Sequence, residues 1–210
     1  IIGGVPFTIL MSLLGILGLY ELLHIREEAK KKFPLPMKII AYIMVLVIVL
    51  SNYKAIDFQY KLDYRLVSSI IFLFLSPMVF INDSKKYNLN DALFLVGSVV
   101  FIGLSFNLLV ITRNFNISYI IYLFLITIMT DTFALITGKF IGKHKFAPKI
   151  SPKKTWEGFF GGALMGTVIG GVFFNTVIDP TSNLALILFI TLVLSIIGQL
   201  GDLVFSAIKR

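Results

Sequence analysis

Seven apolar stretches follow one another along this chain, at about residues 1–23, 37–53, 66–82, 91–112, 117–138, 158–178 and 184–208. A helix rising 1.5 Å per residue needs about 20 residues to cross the hydrocarbon of a bilayer. Five of the seven stretches reach that length. The runs are continuous and do not alternate, so they are not strands of a membrane barrel. In lipid only a helix satisfies its own backbone within one segment. The sequence therefore predicts an all-α fold, a polytopic transmembrane helix bundle of about seven spans. The 37–53 stretch is short, with Lys38 and Lys54 at its ends, and those side chains would have to snorkel. Pro77 lies inside the third stretch and predicts a kink, with neighbouring helices covering the freed carbonyl.

Composition narrows the function classes. Charged residues make up 14% of the chain, against roughly 25% in a soluble domain. That excludes a soluble enzyme, a disordered tail and a disulfide scaffold, and the lack of cysteine removes zinc-thiolate and redox chemistry. The chain starts at Ile1 and stops at Lys209-Arg210 directly after an apolar run. It reads as a fragment within a single transmembrane catalytic domain, 1–210, without a legible signal peptide.

Orientation follows from the basic residues. One set of alternate loops holds Arg26, Lys30, Lys31, Lys32, Lys38, Lys85, Lys86, six lysines from Lys139 to Lys154, Lys209 and Arg210, 15 in all. The other set holds Lys54, Lys61, Arg65 and Arg113, which is 4. The first set is the cytoplasmic one, and a multi-pass protein of the plasma membrane is expected.

Three acidic residues, Glu21, Asp131 and Asp202, fall in the interior of the stretches. A carboxylate at bilayer depth costs several kcal/mol unless paired or hydrated, which marks each as a functional candidate. Asp131 lies 8 residues before Lys139 and Asp202 lies 7 before Lys209. Both sit roughly 10–12 Å below the cytoplasmic edge, and Glu21, 5 residues before Arg26, is shallower. Separate structural ion pairs would account for the same residues.

The loop from Gly138 to Gly158 carries Lys139, Lys143, Lys145, Lys149, Lys153 and Lys154, with Gly138, Gly142, Pro148 and Pro152 to fix turns. Such a loop can cradle phosphate or anchor to anionic head groups. It follows directly on the Asp131 helix, so lysines and carboxylates meet at one entrance. Those are the parts that phosphoryl or nucleotidyl transfer needs. Gly158, Gly162, Gly166 and Gly170 recur every four residues, a small-residue face for close helix packing. His24 and His144 are isolated and are not read as ligands. Trp156 suits an interfacial anchor. Arg26–Lys32 with Glu27 and Glu28 reads as a solvated or lipid-facing helix end.

Three segments together resemble the integral membrane phosphatidate cytidylyltransferases, or CDP-diacylglycerol synthases. They are Asp131-Thr-Phe-Ala134 with Gly138-Lys139 and Gly142-Lys143, then Ser151-Pro-Lys-Lys-Thr-Trp-Glu-Gly158, then Gly198-Gln-Leu-Gly-Asp202-Leu-Val-Phe-Ser206-Ala-Ile-Lys209-Arg210. Gly18-Leu-Tyr-Glu21-Leu-Leu is a weaker match, and Leu135 and Phe205 depart from common family residues.

The resemblance implies transfer of a cytidylyl group from CTP to phosphatidate, giving CDP-diacylglycerol and pyrophosphate, with Mg²⁺ and room for a second cation. It implies Asp202 as a metal ligand, with Asp131 supporting it or ordering a lysine. Lys153, Lys154, Lys209 and Arg210 would neutralise phosphates, and Ser206 would donate a hydrogen bond. Lys139, Lys143, Ser151, Thr155 and Glu157 would complete the nucleotide site, Thr155 and Glu157 also capping the helix that opens at Gly158. The family's signature continues past Arg210 to a second metal carboxylate, so residues 1–210 alone are expected to be inactive. Expected partners are CTP, phosphatidate and membrane lipids, with a possible homodimer and no nucleic acid.

Two other classes share some features. An anion transporter also buries carboxylates, but no inverted repeat is visible and it needs no Ser151–Gly158 block. A CTP-dependent lipid kinase differs in its products, phospholipid and CDP. The topology is directly testable in this cysteine-free chain. With single cysteines at positions 31, 57, 145 and 179, an impermeant thiol reagent applied to intact cells should label 57 and 179 only. Labelling at 31 or 145 would reverse the orientation.

Overall fold

The computed structural model describes residues 4–51, 64–81 and 86–208. Five helices are long and apolar enough to cross a membrane: α1 (Gly4–Ala29), α5 (Leu89–Phe115), α6 (Ile117–Phe140), α7 (Trp156–Phe173) with the π-helical turn Phe174–Ile178 that continues it, and α8 (Leu184–Ile208). Two shorter apolar segments complete the expected set. One is α2 (Leu35–Leu50), and the other is α3 (Tyr64–Leu75) followed by α4 (Pro77–Phe80). The chain divides into two compact units, 1–115 and 116–210.

In the first unit α1, α2 and α5 enclose a core that includes Leu19, Leu23, Val45, Ile48, Leu95 and Val99. α2 has 16 residues, and its C-terminal carbonyls would be orphans. Asn107 of α5 covers them, its Nδ2 donating to Ile48 O at 2.7 Å and to Val49 O at 3.3 Å. The break expected at Pro77 falls where proline must start a new helical segment, after Ser76. Near it the Phe74 carbonyl accepts from the Tyr87 hydroxyl at 2.9 Å. Burial, helped by the Asp91 carboxylate, pushes that phenol up to about 12, so it stays a donor.

The helix end expected to be solvated or lipid-facing is so at Glu28, Lys30 and Lys32, but Arg26, Glu27 and Lys31 enter ion pairs. Asp91, at the first turn of α5, is 1% exposed and holds Arg26 at 3.1 Å and Lys31 at 2.8 Å. It also accepts from Asn88 N while Asn88 Oδ1 accepts from Asp91 N, a reciprocal cap on α5. The Arg26 guanidinium lies 5.8 and 5.5 Å from the ring centroids of Phe33 and Phe94. Glu27 takes Lys38 at 3.1 Å. Pairing makes burial tolerable here, and the partners are too far apart in sequence for the pairing to be legible in it. Asp91 sat at the margin of its stretch and was not read as a buried acid.

The second unit is built on the contact between α6 and α7. Its cause is the glycine row. A Cβ at Gly158 would stand 2.6 Å from Ala134 O, one at Gly162 2.5 Å from Thr130 O, and one at Gly170 2.7 Å from Ile126 Cγ1. As the glycines advance along α7 their neighbours retreat along α6, so the helices are antiparallel with backbones in contact. The small-residue face is structural, as expected. α8 closes the group through Tyr122 Oη–Thr191 Oγ1 at 2.6 Å and Thr130 Oγ1–Ser195 Oγ at 2.7 Å.

Between α6 and α7 the lysine-rich loop folds as an antiparallel hairpin, β1 (Lys145–Ala147) with β2 (Ser151–Thr155). Pro148 presets its turn, which Ile150 N closes on Ala147 O at 3.0 Å.

Alanine at two glycines should give opposite results. Gly162→Ala forces Cβ into α6 and should destabilise by about 1–3 kcal/mol. Gly97, whose Cβ would meet nothing within 4 Å, should gain up to about 1 kcal/mol on the same change. Thermal unfolding in detergent reads both, and equal shifts would dismiss the close-contact account.

Candidate functional site

A pocket of about 650 Å³ opens in the second unit where α6, the hairpin, α7 and α8 meet. α6 supplies Asp131 and, two turns on, Gly138 and Lys139. The hairpin supplies Lys145, Phe146, Ser151, Lys153, Lys154 and Thr155, the start of α7 gives Gly158 and Phe159, and α8 gives Gln199 and Asp202. Four lysines against two aspartates leave the lining net cationic, which suits a polyanion.

Residues far apart in the sequence meet here through particular contacts. Lys154 Nζ lies 2.7 Å from Asp202 Oδ2 and donates to the main-chain carbonyl of Gln199 at 3.3 Å. Thr155 is the N-cap of α7, its Oγ1 accepting from Gly158 N at 3.1 Å. The Thr155 side chain sits in a socket without competing side chains. A Cβ at Gly138, Gly142 or Gly158 would come within 2.9, 2.7 or 3.0 Å of its Oγ1. This explains three of the glycines around the loop: they let the hairpin's last residue lie against the end of α6. Phe146, Trp156 and Phe159 anchor the hairpin to α7, with ring centroids 4.3 Å apart for Phe146–Trp156 and 4.9 Å for Phe146–Phe159.

Of the residues expected in the site, Asp131, Lys139, Ser151, Lys153, Lys154, Thr155 and Asp202 line this one pocket. Ser206 lies one turn beyond Asp202, half-buried and outside the lining, and Lys143 is exposed in the turn after α6. Glu157 accepts from its own N–H in the first turn of α7, in keeping with the capping part expected of it, but lies outside the pocket lining. Its carboxylate meets His144 Nδ1 at 2.7 Å and accepts from His144 N at 3.3 Å, tying the hairpin's entrance to α7. Glu21 belongs to the first unit, exposed on α1. Lys209 and Arg210 lie outside the described residues.

Gln199, Phe146 and Phe159 were not picked out from the sequence, and Lys145 was read only as one of the six loop lysines. The signal for Gln199 was present: an amide in an apolar span, three residues before Asp202 and so on its face of the helix.

Asp131 and Asp202 bear on each other electrostatically across the pocket. Among the described residues no three His, Cys, Asp or Glu side chains gather as a closed metal cage. Two carboxylates in an open, lysine-lined pocket fit a hard divalent cation that keeps water and substrate phosphates as its remaining ligands.

A cytidylyltransferase family model matches residues 1–210. The chain belongs to the cytidylyltransferase family. It is 35% identical over 210 residues to the phosphatidate cytidylyltransferase of Staphylococcus haemolyticus, covering all of this chain and 78% of that protein. To the phosphatidate cytidylyltransferase of Staphylococcus epidermidis it is 36% identical over 208 residues, 99% of this chain and 77% of the other. The same name in Staphylococcus aureus goes with 35% identity over 208 residues, 99% and 77%. No solved structure matches the chain significantly. A membrane-embedded nucleotidyltransferase is thus established at the level of family.

The cap at the pocket wall has a measurable worth. Thr155→Val keeps the shape but removes the acceptor for Gly158 N, and should cost this cytidylyltransferase about 1 kcal/mol. Thermal unfolding should show the loss with helical content unchanged; an unaltered midpoint would mean the hydroxyl caps nothing.

Proposed function

We propose that the protein transfers a cytidylyl group from CTP to phosphatidate, giving CDP-diacylglycerol and pyrophosphate, within a single transmembrane catalytic domain over 1–210. The reaction belongs to phospholipid biosynthesis. The observation that carries this reading is the convergence of Asp131, Asp202 and four lysines on one pocket in a membrane-spanning unit.

A phosphate oxygen of the lipid attacks the α-phosphorus of CTP, and the bond to pyrophosphate breaks. No covalent enzyme intermediate is needed. The requirement is to hold two anions in line and to offset negative charge as it gathers on the leaving group. Lys139, Lys145 and Lys153, which line the pocket, would meet the triphosphate, and Lys154, paired with Asp202, would add a fourth ammonium. Ser151 offers a hydroxyl beside them. The lipid reaches the pocket from the bilayer, its acyl chains remaining among the apolar helices. Asp131 and Asp202 would hold Mg²⁺, which when bound neutralises phosphate charge. The site faces the cytoplasm in this reading, from the distribution of basic residues.

The test uses radiolabelled CTP and phosphatidate with the purified full-length protein, with both lipid and soluble products identified. CDP-lipid and pyrophosphate support the reading; phospholipid and CDP would make the protein a lipid kinase instead. Asp202→Asn keeps size and loses charge, and should cut turnover by roughly a thousandfold or more. Asp131→Asn should also lose most activity. Lys154→Ala should be milder, because neighbouring lysines share its task. Near-normal turnover in Asp202→Asn would return the carboxylates to a purely structural ion pair.

A further inference from the structure

We infer that Gln199 is a positioning residue of the nucleotidyl-transfer site, acting on Lys154; the inference rests on the function proposed above. Gln199 is 5% exposed in a helix that is otherwise apolar at this depth. An amide taken out of water must find partners or bear the full desolvation cost of an unmade hydrogen bond. Its Nε2 finds one on another helix, donating to Phe159 O at 3.1 Å. Phe159 lies in the first turn of α7, immediately after the hairpin strand that carries Lys154. The main-chain carbonyl of Gln199 accepts from Lys154 Nζ at 3.3 Å, and one helical turn later Asp202 takes that ammonium at 2.7 Å.

One glutamine therefore closes a loop of contacts. Its side chain fixes α8 to the start of α7, and its backbone receives the lysine that the start of α7 delivers. The register of α8 against the hairpin decides whether the Lys154 ammonium can reach Gln199 O and Asp202 together. Two polar groups on one ammonium leave it little freedom to wander. The remaining contacts between α6 and α8, Tyr122–Thr191 and Thr130–Ser195, lie deeper along the bundle. They hold the helices together without touching the lysine. Gln199 is thus the polar link at the level where the charges are.

The consequence is kinetic. Without the Nε2 bond, α8 keeps its apolar packing and its deeper hydrogen bonds, but the Gln199–Asp202 segment is no longer held to α7. A misplacement of about 1 Å in a charge-stabilising group can cost up to about a hundredfold in rate. Because the ammonium is displaced and not removed, the loss should fall on kcat more than on KM for CTP.

The experiment compares Gln199→Met, Lys154→Ala and the double variant in the full-length protein, measuring kcat, KM for CTP and thermal unfolding. Gln199→Met keeps length and loses the donor. The expected result is a kcat lowered about ten- to a hundredfold, with KM for CTP within about threefold of wild type. The double variant should be no slower than Lys154→Ala alone, because the glutamine has nothing left to position. Additive losses would overturn the inference, as would normal kcat in Gln199→Met. Should Gln199→Met fail to fold, Gln199→Glu, which keeps the shape and sets an acceptor against Phe159 O, is subjected to the same cycle with the same expectation. A wild-type enzyme that formed no CDP-lipid would instead remove the proposed function, which separates the two failures.

Discussion

Where the α7 glycines meet α6, two helix backbones come within the distance that a single methyl group would forbid. The second unit depends on that approach. Lipid offers no hydrophobic gain for bringing apolar helices together, so association rests on contact density and on polar links between helices. The glycines supply the first. Tyr122–Thr191 and Thr130–Ser195 supply the second. With α6 and α7 pressed together, the short hairpin between them is carried at a fixed height, and Thr155 drops into the gap left by Gly138, Gly142 and Gly158. A bulkier seam would lift the hairpin and with it Lys153 and Lys154.

The two units use buried charge differently. Asp91 in the first unit is almost wholly enclosed and compensated by two cations and a backbone donor. Such a cluster is costly to disturb and exchanges nothing with solvent. Asp202 is paired too, but its side chain is 58% exposed and faces a pocket. Its partner Lys154 is held at the edge of the same space. An ion pair in that setting can rearrange around an anionic substrate, whereas the Asp91 cluster cannot. Burial, not residue type, separates the structural Asp91 from Asp202, the candidate site carboxylate.

Much of the site was legible because chemistry in a membrane is conspicuous. Asp131 and Asp202 stood out as charges in apolar helices, and their equal distance from the basic edge placed them at one depth. The lysine loop declared its charge but not its shape. Nothing in the spacing of Lys145, Lys153 and Lys154 announced a hairpin, because strand pairing in so short a segment is set by the Pro148 turn and the aromatic anchor on α7. Glu157 was read as a cap, and its carboxylate meets its own N–H at the start of α7 and also ties to His144, a partner that only the folded hairpin brings near. Gln199 was passed over for a related reason: an amide carries no charge to mark it.

The sequence by itself determined the helical, membrane-spanning architecture, the break at Pro77, the glycine seam and the candidate carboxylates. Each of these follows from local properties: length of an apolar run, a missing N–H, a repeat of four, a charge in hydrocarbon. Tertiary structure alone decided which partners those groups would have. Asp91 found Arg26 and Lys31, Lys154 found Asp202 and the Gln199 carbonyl, and Asn107 found the end of α2. Those pairings span some 45 to 65 residues of chain. No periodicity encodes them, because they depend on how helices are rotated and set at depth against one another, which is fixed only when the whole unit packs.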